Sequence, residues 1–145
     1  MSQLYDPDIN YRKHPEKYRI GSGEKGVLTV EPYKSEILPH WKFKTPKEAK
    51  KSADKIFNLF EDYLEKNDFV GADMARKFLR MGMTRARRYA RHPSGKKYDE
   101  DGNELPVELD EEKQKSSDIF KGKWEKAKEN PTYQKLKDQH KEKYY

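Results

Sequence analysis

From residue 45 onward the apolar positions of this chain fall at helical intervals. Ala49, Ala53, Ile56, Phe60 and Tyr63 are spaced four, three, four and three residues apart, which places them on one stripe of an α-helix. Thr45, Pro46 and Glu48 supply its start: a capping hydroxyl, a proline at the first helical position and a carboxylate that completes a capping box. The pattern fades near Lys66. Asn67 and Asp68 open a second helix, whose apolar positions are Met74, Ala75, Phe78, Leu79, Met81, Met83, Ala86, Tyr89 and Ala90. Gly82 is a candidate break in it, with Thr84 capping a shorter second piece. A third helix starts at Asp110, Glu111 and Glu112 and runs to about Lys128, turning Ile119, Phe120, Trp124 and Ala127 inward. Asn130 and Pro131 then cap a short last helix carrying Tyr133 and Leu136.

The first third of the chain follows another pattern. Residues 26–30 and 40–44 are short β-type runs bounded by Gly and Pro, and the segment from Glu31 to Pro39, with its two prolines, reads as the loop between them. Residues 1–20 read as irregular, pinned to the body by Tyr5, Tyr11 and Tyr18. Residues 93–106 form a turn-rich connection with a hairpin tip at 98–103. No internal repeat is visible. The expected fold is therefore α+β: a short β-hairpin packed on two central helices, with a loosely attached helical C-terminal part. Along the chain this gives an irregular N-terminal arm over 1–20, an α+β core over 21–106 and a helical extension over 107–145, ending in a mobile Lys- and Glu-rich tail. Ile56, Phe60 and Tyr63 are expected to face Phe78 and the Trp41 strand.

Composition narrows this picture. Leu, Ile, Val and Phe make up about 17% of the 145 residues, a thin supply for a core. The 10 Tyr, 6 Phe and 2 Trp compensate, because each aromatic side chain buries a large area. There is no Cys, hence no disulfide framework or thiolate chemistry. No signal peptide or membrane-length apolar run stands out, and the cytoplasm is the expected compartment.

Charge changes the picture more. The net charge is +6, yet Arg76, Lys77, Arg80, Arg85, Arg87, Arg88, Arg91, Lys96 and Lys97 bring nine positive charges between residues 76 and 97, with no Asp or Glu among them. The remainder of the chain nets −3. At about 100° per residue, Arg76, Arg80, Arg87 and Arg91 fall within a stripe of about 60°, with Lys77 and Arg88 beside it and the apolar residues opposite, interrupted only by Arg85. Several cations on one rigid face suit a polyanion, since each phosphate neutralised releases counterions, and arginine binds phosphate through two hydrogen bonds at once. Tyr89 and Tyr98 could stack on exposed bases. The plainer reading is a solvated helix face, or arginines paired with carboxylates from elsewhere.

Other motifs are weaker. Residues 21–26 match G-x-G-x-x-G, but a dinucleotide site needs a strand before it and a helix after it. Here an irregular segment precedes and a strand follows, so a tight turn is the simpler reading, with a backbone phosphate nest as the alternative. A kinase-like phosphate loop lacks its partner motifs. Asp99, Asp101 and Gly102 resemble part of a calcium loop, but the register places Lys97 at the first ligand position, where a carboxylate is required. His14, His40, His92 and His140 form no pair at metal-ligand spacing. His40, beside Trp41, is a conceivable acid–base residue, though a structural role is the plainer one. The reading includes no metal and no cofactor.

Two stretches resemble a known family. One runs from Arg19 and Ile20 through Gly26 and Val27, then Glu31, Pro32, Tyr33 and Lys34, to His40, Trp41, Lys42, Phe43, Lys44, Thr45 and Pro46. The other runs from Asp68, Phe69, Val70 and Gly71 through Met74 to Leu79 and on to Thr84, Arg85, Ala86, Arg87, Arg88 and Tyr89. Together they resemble the family called domain of unknown function 4385, found in bacteria and their viruses. The resemblance implies no activity. The expected function rests on the residues: nucleic-acid binding through the nine cations, with no membrane partner and an oligomeric state left open. The alternatives are an enzyme acting on a phosphorylated or anionic small molecule, sited between the glycine loop, His40 and the arginines, or an adaptor for an acidic protein surface.

Overall fold

A computed structural model describes residues 5–20, 26–92, 96–106 and 109–145. Among them are five α-helices: α1 (Tyr33–Ile37), α2 (Pro46–Glu65), α3 (Phe69–Arg91), α4 (Glu111–Glu129) and α5 (Pro131–Tyr144). No strand or sheet occurs among the described residues, so the fold is helical and not α+β with a hairpin.

Neither β-type run pairs with another strand among the described residues. Val27 and Val30 are both buried while Leu28 is exposed. That three-residue spacing suits the 3-10 turn Val27–Thr29, which starts from Gly26 at φ 79°. Trp41 and Phe43 do alternate with exposed Lys42 and Lys44, as in a strand. However, the Lys42 amide donates to Ser52 Oγ at 2.9 Å on α2, not to another strand. Alternation marks a half-buried extended segment, and here the surface that buries it is a helix. Between these runs the expected loop contains α1, where the Glu31 carboxylate accepts from the Ser35 amide at 2.8 Å and the Ser35 hydroxyl at 2.6 Å.

The long helices follow their sequence signals closely. Thr45 accepts from the Glu48 amide at 3.1 Å, and Ala49, Ala53, Ile56, Phe60 and Tyr63 are buried on α2. Phe60 is fully buried; its ring neighbours are Phe57 and Tyr133, whereas the Trp41 ring meets Phe78. The α2–α3 turn is a Schellman motif. Asn67 takes φ 56°, its amide donates to the Leu64 carbonyl at 3.0 Å, and the Asp68 amide donates to the Tyr63 carbonyl at 2.8 Å. Asp68 then caps α3 by accepting from the Gly71 amide at 3.1 Å.

α3 is the central helix, and its glycines set how closely its neighbours approach. A Cβ on Gly71 would lie 2.6 Å from the Tyr63 ring, and one on Gly82 would run into the Phe120 ring of α4. Gly82 therefore does not break the helix, which continues to Arg91; it admits Phe120.

The C-terminal part is not loosely attached. Phe120 and Ala127 of α4 and Tyr133 and Leu136 of α5 belong to the same core as Ile56 and Phe78, and Ser117 Oγ donates to the Met83 carbonyl at 2.8 Å. The end of the chain is tied to the N-terminal arm: the Ile20 amide donates to the Tyr145 hydroxyl at 2.7 Å, and Arg19 donates to the Tyr144 carbonyl at 3.1 Å. Tyr5, Tyr11 and Tyr18 pin the arm, each no more than 2% exposed. The expected hairpin tip is a small turn with a single bridge between Tyr98 and Glu104, Gly102 at φ 84° and two amides donating to Asp99 Oδ1.

Candidate nucleic-acid interface

The nine cations lie on a helix whose surroundings change along its length, and they divide accordingly. Near its start α3 is covered on every side, from Phe69 through Ala75 without a break. The cover includes the N-terminal arm on one flank and α5 on another. Beyond Gly82 only Ala86 and Ala90 of the helix are buried; α4, the chain entering it and the Phe43 ring lie against this part, and among the described residues neither the arm nor α5 reaches it. The Asp110 amide donates to the Ala90 carbonyl at 2.7 Å there.

Two of the three cations before Gly82, Arg76 and Lys77, are held inside the fold. Asp73 is fully buried. Arg76 Nε donates to Asp73 Oδ1 at 2.9 Å, and Lys77 Nζ stands 3.8 Å from Oδ2. Tyr133 donates to Oδ1 at 2.6 Å, and the Tyr18 hydroxyl donates to Oδ2. Burial pushes the Asp73 carboxyl pKa up, but the charges of Arg76 and Lys77 and the two hydroxyls outweigh it and hold the pKa below the usual carboxylate range. Burial lowers the Lys77 pKa, with Asp73 offsetting part of the effect. Burial and the Asp73 charge both raise Tyr18 and Tyr133. Lys77 also lies 3.2 Å from the Tyr5 hydroxyl and faces the rings of Tyr5 and Tyr18 at 5.3 and 5.2 Å. Arg80 is half-buried, with its guanidinium 5.9 Å from the Trp124 ring.

Arg76 and Lys77 therefore do not belong to an exposed ridge. Their pairing with Asp73 is, at this end of the segment, the plainer reading of cations paired within the fold. Asp73 lies three and four residues before them, just outside the acid-free stretch. That i,i+3 and i,i+4 spacing was the available signal, and the tyrosines that complete the cluster come from too far along the chain to be read with it.

The outer end is different. Arg85, Arg87, Arg88 and Arg91 are exposed, and none forms an ion pair among the described residues. Tyr89, among them, is 38% exposed. Lys96 is exposed and Lys97 half-buried, with the Lys97 ammonium 5.6 Å from the ring of its neighbour Tyr98. The site thus contracts from nine cations to four arginines, of which Arg85 and Arg88 share a side of the helix with Tyr89, with Lys96 and Lys97 further along the chain.

The remaining motifs fall elsewhere. Residues 21–25 of the glycine motif lie outside the described residues, and Gly26 opens a 3-10 turn. His40 is exposed on a cavity of about 630 Å³ shared with Lys42, Glu48, Lys51, Ser52 and Lys55. No arginine lines it. His140 is buried, its Nε2 placed 3.0 Å from the Tyr18 carbonyl. His92 is buried with Nδ1 unpartnered among the described residues. None of the described helices is long and apolar enough to cross a membrane.

The chain is a member of the family described as domain of unknown function (DUF4385), which matches residues 2–143. Searches of curated proteins and of solved structures returned no match.

Proposed function

We propose that the protein binds nucleic acid through the C-terminal end of α3, with Arg85, Arg87, Arg88 and Arg91 on phosphates. The observation that carries this reading is the absence of any ion pair to these four arginines among the described residues, in a chain with 26 carboxylates available. Guanidinium groups without an ion pair have their donors open to phosphate, which they grip bidentately. The helix fixes their backbone, and each side chain is ordered on binding at a cost of about 0.5–1.5 kcal/mol. The contacts are to the backbone, so affinity depends on salt and little on sequence.

The His40 cavity lends less support to an enzyme acting on an anionic small molecule, because its cations are exposed lysines and the arginines are not among its lining residues. An adaptor for an acidic protein surface would use the same arginines, and the test separates the two. In a titration against labelled oligonucleotides at several salt concentrations, about four phosphate contacts give a log–log slope near −3 to −4. Replacing Arg87 and Arg91 together with Ala flattens it by about two contacts. No binding to DNA or RNA at low salt would exclude this reading and leave the acidic-protein partner.

A further inference from the structure

One side of the arginine patch carries more than charge. Tyr89 is 38% exposed, yet its ring is braced from behind. Phe43 lies 6.3 Å away at 31°, Phe43 lies 4.9 Å from Trp41, and Trp41 lies 5.9 Å from Phe78, which is fully buried. The four rings run from the core to the surface with Tyr89 outermost. Tyr98 offers no such platform: it is 53% exposed, the Lys97 ammonium sits 5.6 Å from its ring, and no described aromatic ring backs it. On α3, Arg85 and Arg88 lie within about 100° of Tyr89 around the helix axis, so a fixed aromatic surface has cations on its own side.

We infer that this side takes single-stranded nucleic acid, with one base stacked on Tyr89 and the flanking phosphates on Arg85 and Arg88. The inference rests on the nucleic-acid reading and narrows it. In a duplex the faces of the bases are covered by their neighbours, and a helix-borne tyrosine meets only backbone or groove edges. A single strand presents an open π-face and a backbone flexible enough to bring adjacent phosphates to both arginines. Stacking of this kind tolerates any base, which fits a patch that has cations for phosphate.

The test is fluorescence anisotropy of the full chain with a short labelled oligothymidylate and with a blunt duplex of equal length, at matched salt. Wild type is expected to bind the single strand more tightly. Tyr89→Ala loses about tenfold on the single strand, the scale of one stacked base, and little on the duplex, whereas Tyr89→Phe keeps the preference. Replacing Arg85 and Arg88 with Ala weakens both. Equal affinity for both forms, or a Tyr89→Ala loss that is absent or the same on each, overturns the stacking inference while leaving the charge-based reading intact. Failure of both forms to bind at low salt removes the charge-based reading and this inference with it.

Discussion

The two halves of α3 look alike as sequence and behave differently as structure. Before Gly82, Arg76 and Lys77 are folded against Asp73 beneath the N-terminal arm. After it, Arg85, Arg87, Arg88 and Arg91 stand in solvent. Both halves are rich in arginine and both have an apolar side. What separates them is cover. The arm and α5 bring Tyr5, Tyr18 and Tyr133 over the first half, whereas the second half has the chain leading into α4 on one edge. A run of cations is therefore not one functional object; each cation takes the role its surroundings allow.

Changes to the buried half are expected to have the largest effect. Asp73→Asn leaves Arg76 and Lys77 inside the fold without their counter-charge. Removing one partner of a buried ion pair costs about 3–5 kcal/mol, which denaturant unfolding would register. A loss within the range of surface substitutions would mean that water reaches the cluster. Gly82→Ala sharpens the comparison at its boundary. The added methyl meets the Phe120 ring, and overpacking of this kind costs about 1–3 kcal/mol.

Lys77→Met should cost less than Asp73→Asn. It leaves Asp73 paired with Arg76 alone, a balanced pair, and replaces a desolvated ammonium with an apolar chain of similar length. Comparing the two variants by thermal unfolding separates a charge balance from simple packing. Smallest of all, Arg87→Ala and Arg91→Ala should each change stability by no more than about 0.5 kcal/mol, since neither side chain is buried or ion-paired among the described residues.

The same contrast has a pH signature. Tyr5, Tyr18, Tyr33, Tyr63 and Tyr133 all have raised pKa values, with burial as the first cause and Tyr5 pushed up to about 12. A raised folded-state value contributes stability that is present below the unfolded pKa of about 10 and is lost as pH climbs through the folded value. Asp73 works in the other direction. Its lowered pKa contributes stability present above the unfolded carboxylate value of about 3.9 and lost as pH falls through the folded one. The protein should therefore unfold in alkali, and an ultraviolet titration should show these five tyrosines ionising only with that unfolding. Smooth ionisation of all 10 tyrosines near pH ~10 in the folded state would contradict the buried cluster.

Much of the helical half was legible in the sequence, because caps and spacing are local. Thr45, Asp68, Asp110 and Asn130 each accept from an amide three residues on, and the buried positions of α2 repeat as the pattern requires. The hairpin was not legible. Residues 26–30 and 40–44 have strand-like composition, but what they pack against is decided by distant parts of the chain. The attachment of the C-terminal part was missed for the same reason: its hold on the core runs through single residues such as Phe120, Tyr133 and His140, set among many lysines and glutamates. For the site, exposure of Arg87, Arg88 and Arg91 followed from their place opposite or beside the apolar side of the helix, whereas Arg85 interrupts that side. Burial of Arg76 and Lys77 was not legible, because the tyrosines that enclose them come from the arm and from α5.

α3 joins an enclosed ionic cluster to an exposed arginine surface, the surface proposed to meet nucleic acid. Arginine modification with phenylglyoxal, mapped by mass spectrometry with and without an oligonucleotide, tests both parts at once. In the free protein Arg85, Arg87, Arg88 and Arg91 should be modified and Arg76 spared, and the oligonucleotide should protect those four while leaving Arg76 unchanged. Modification of Arg76 as fast as the others, or no protection by either single or double strands, would contradict the account.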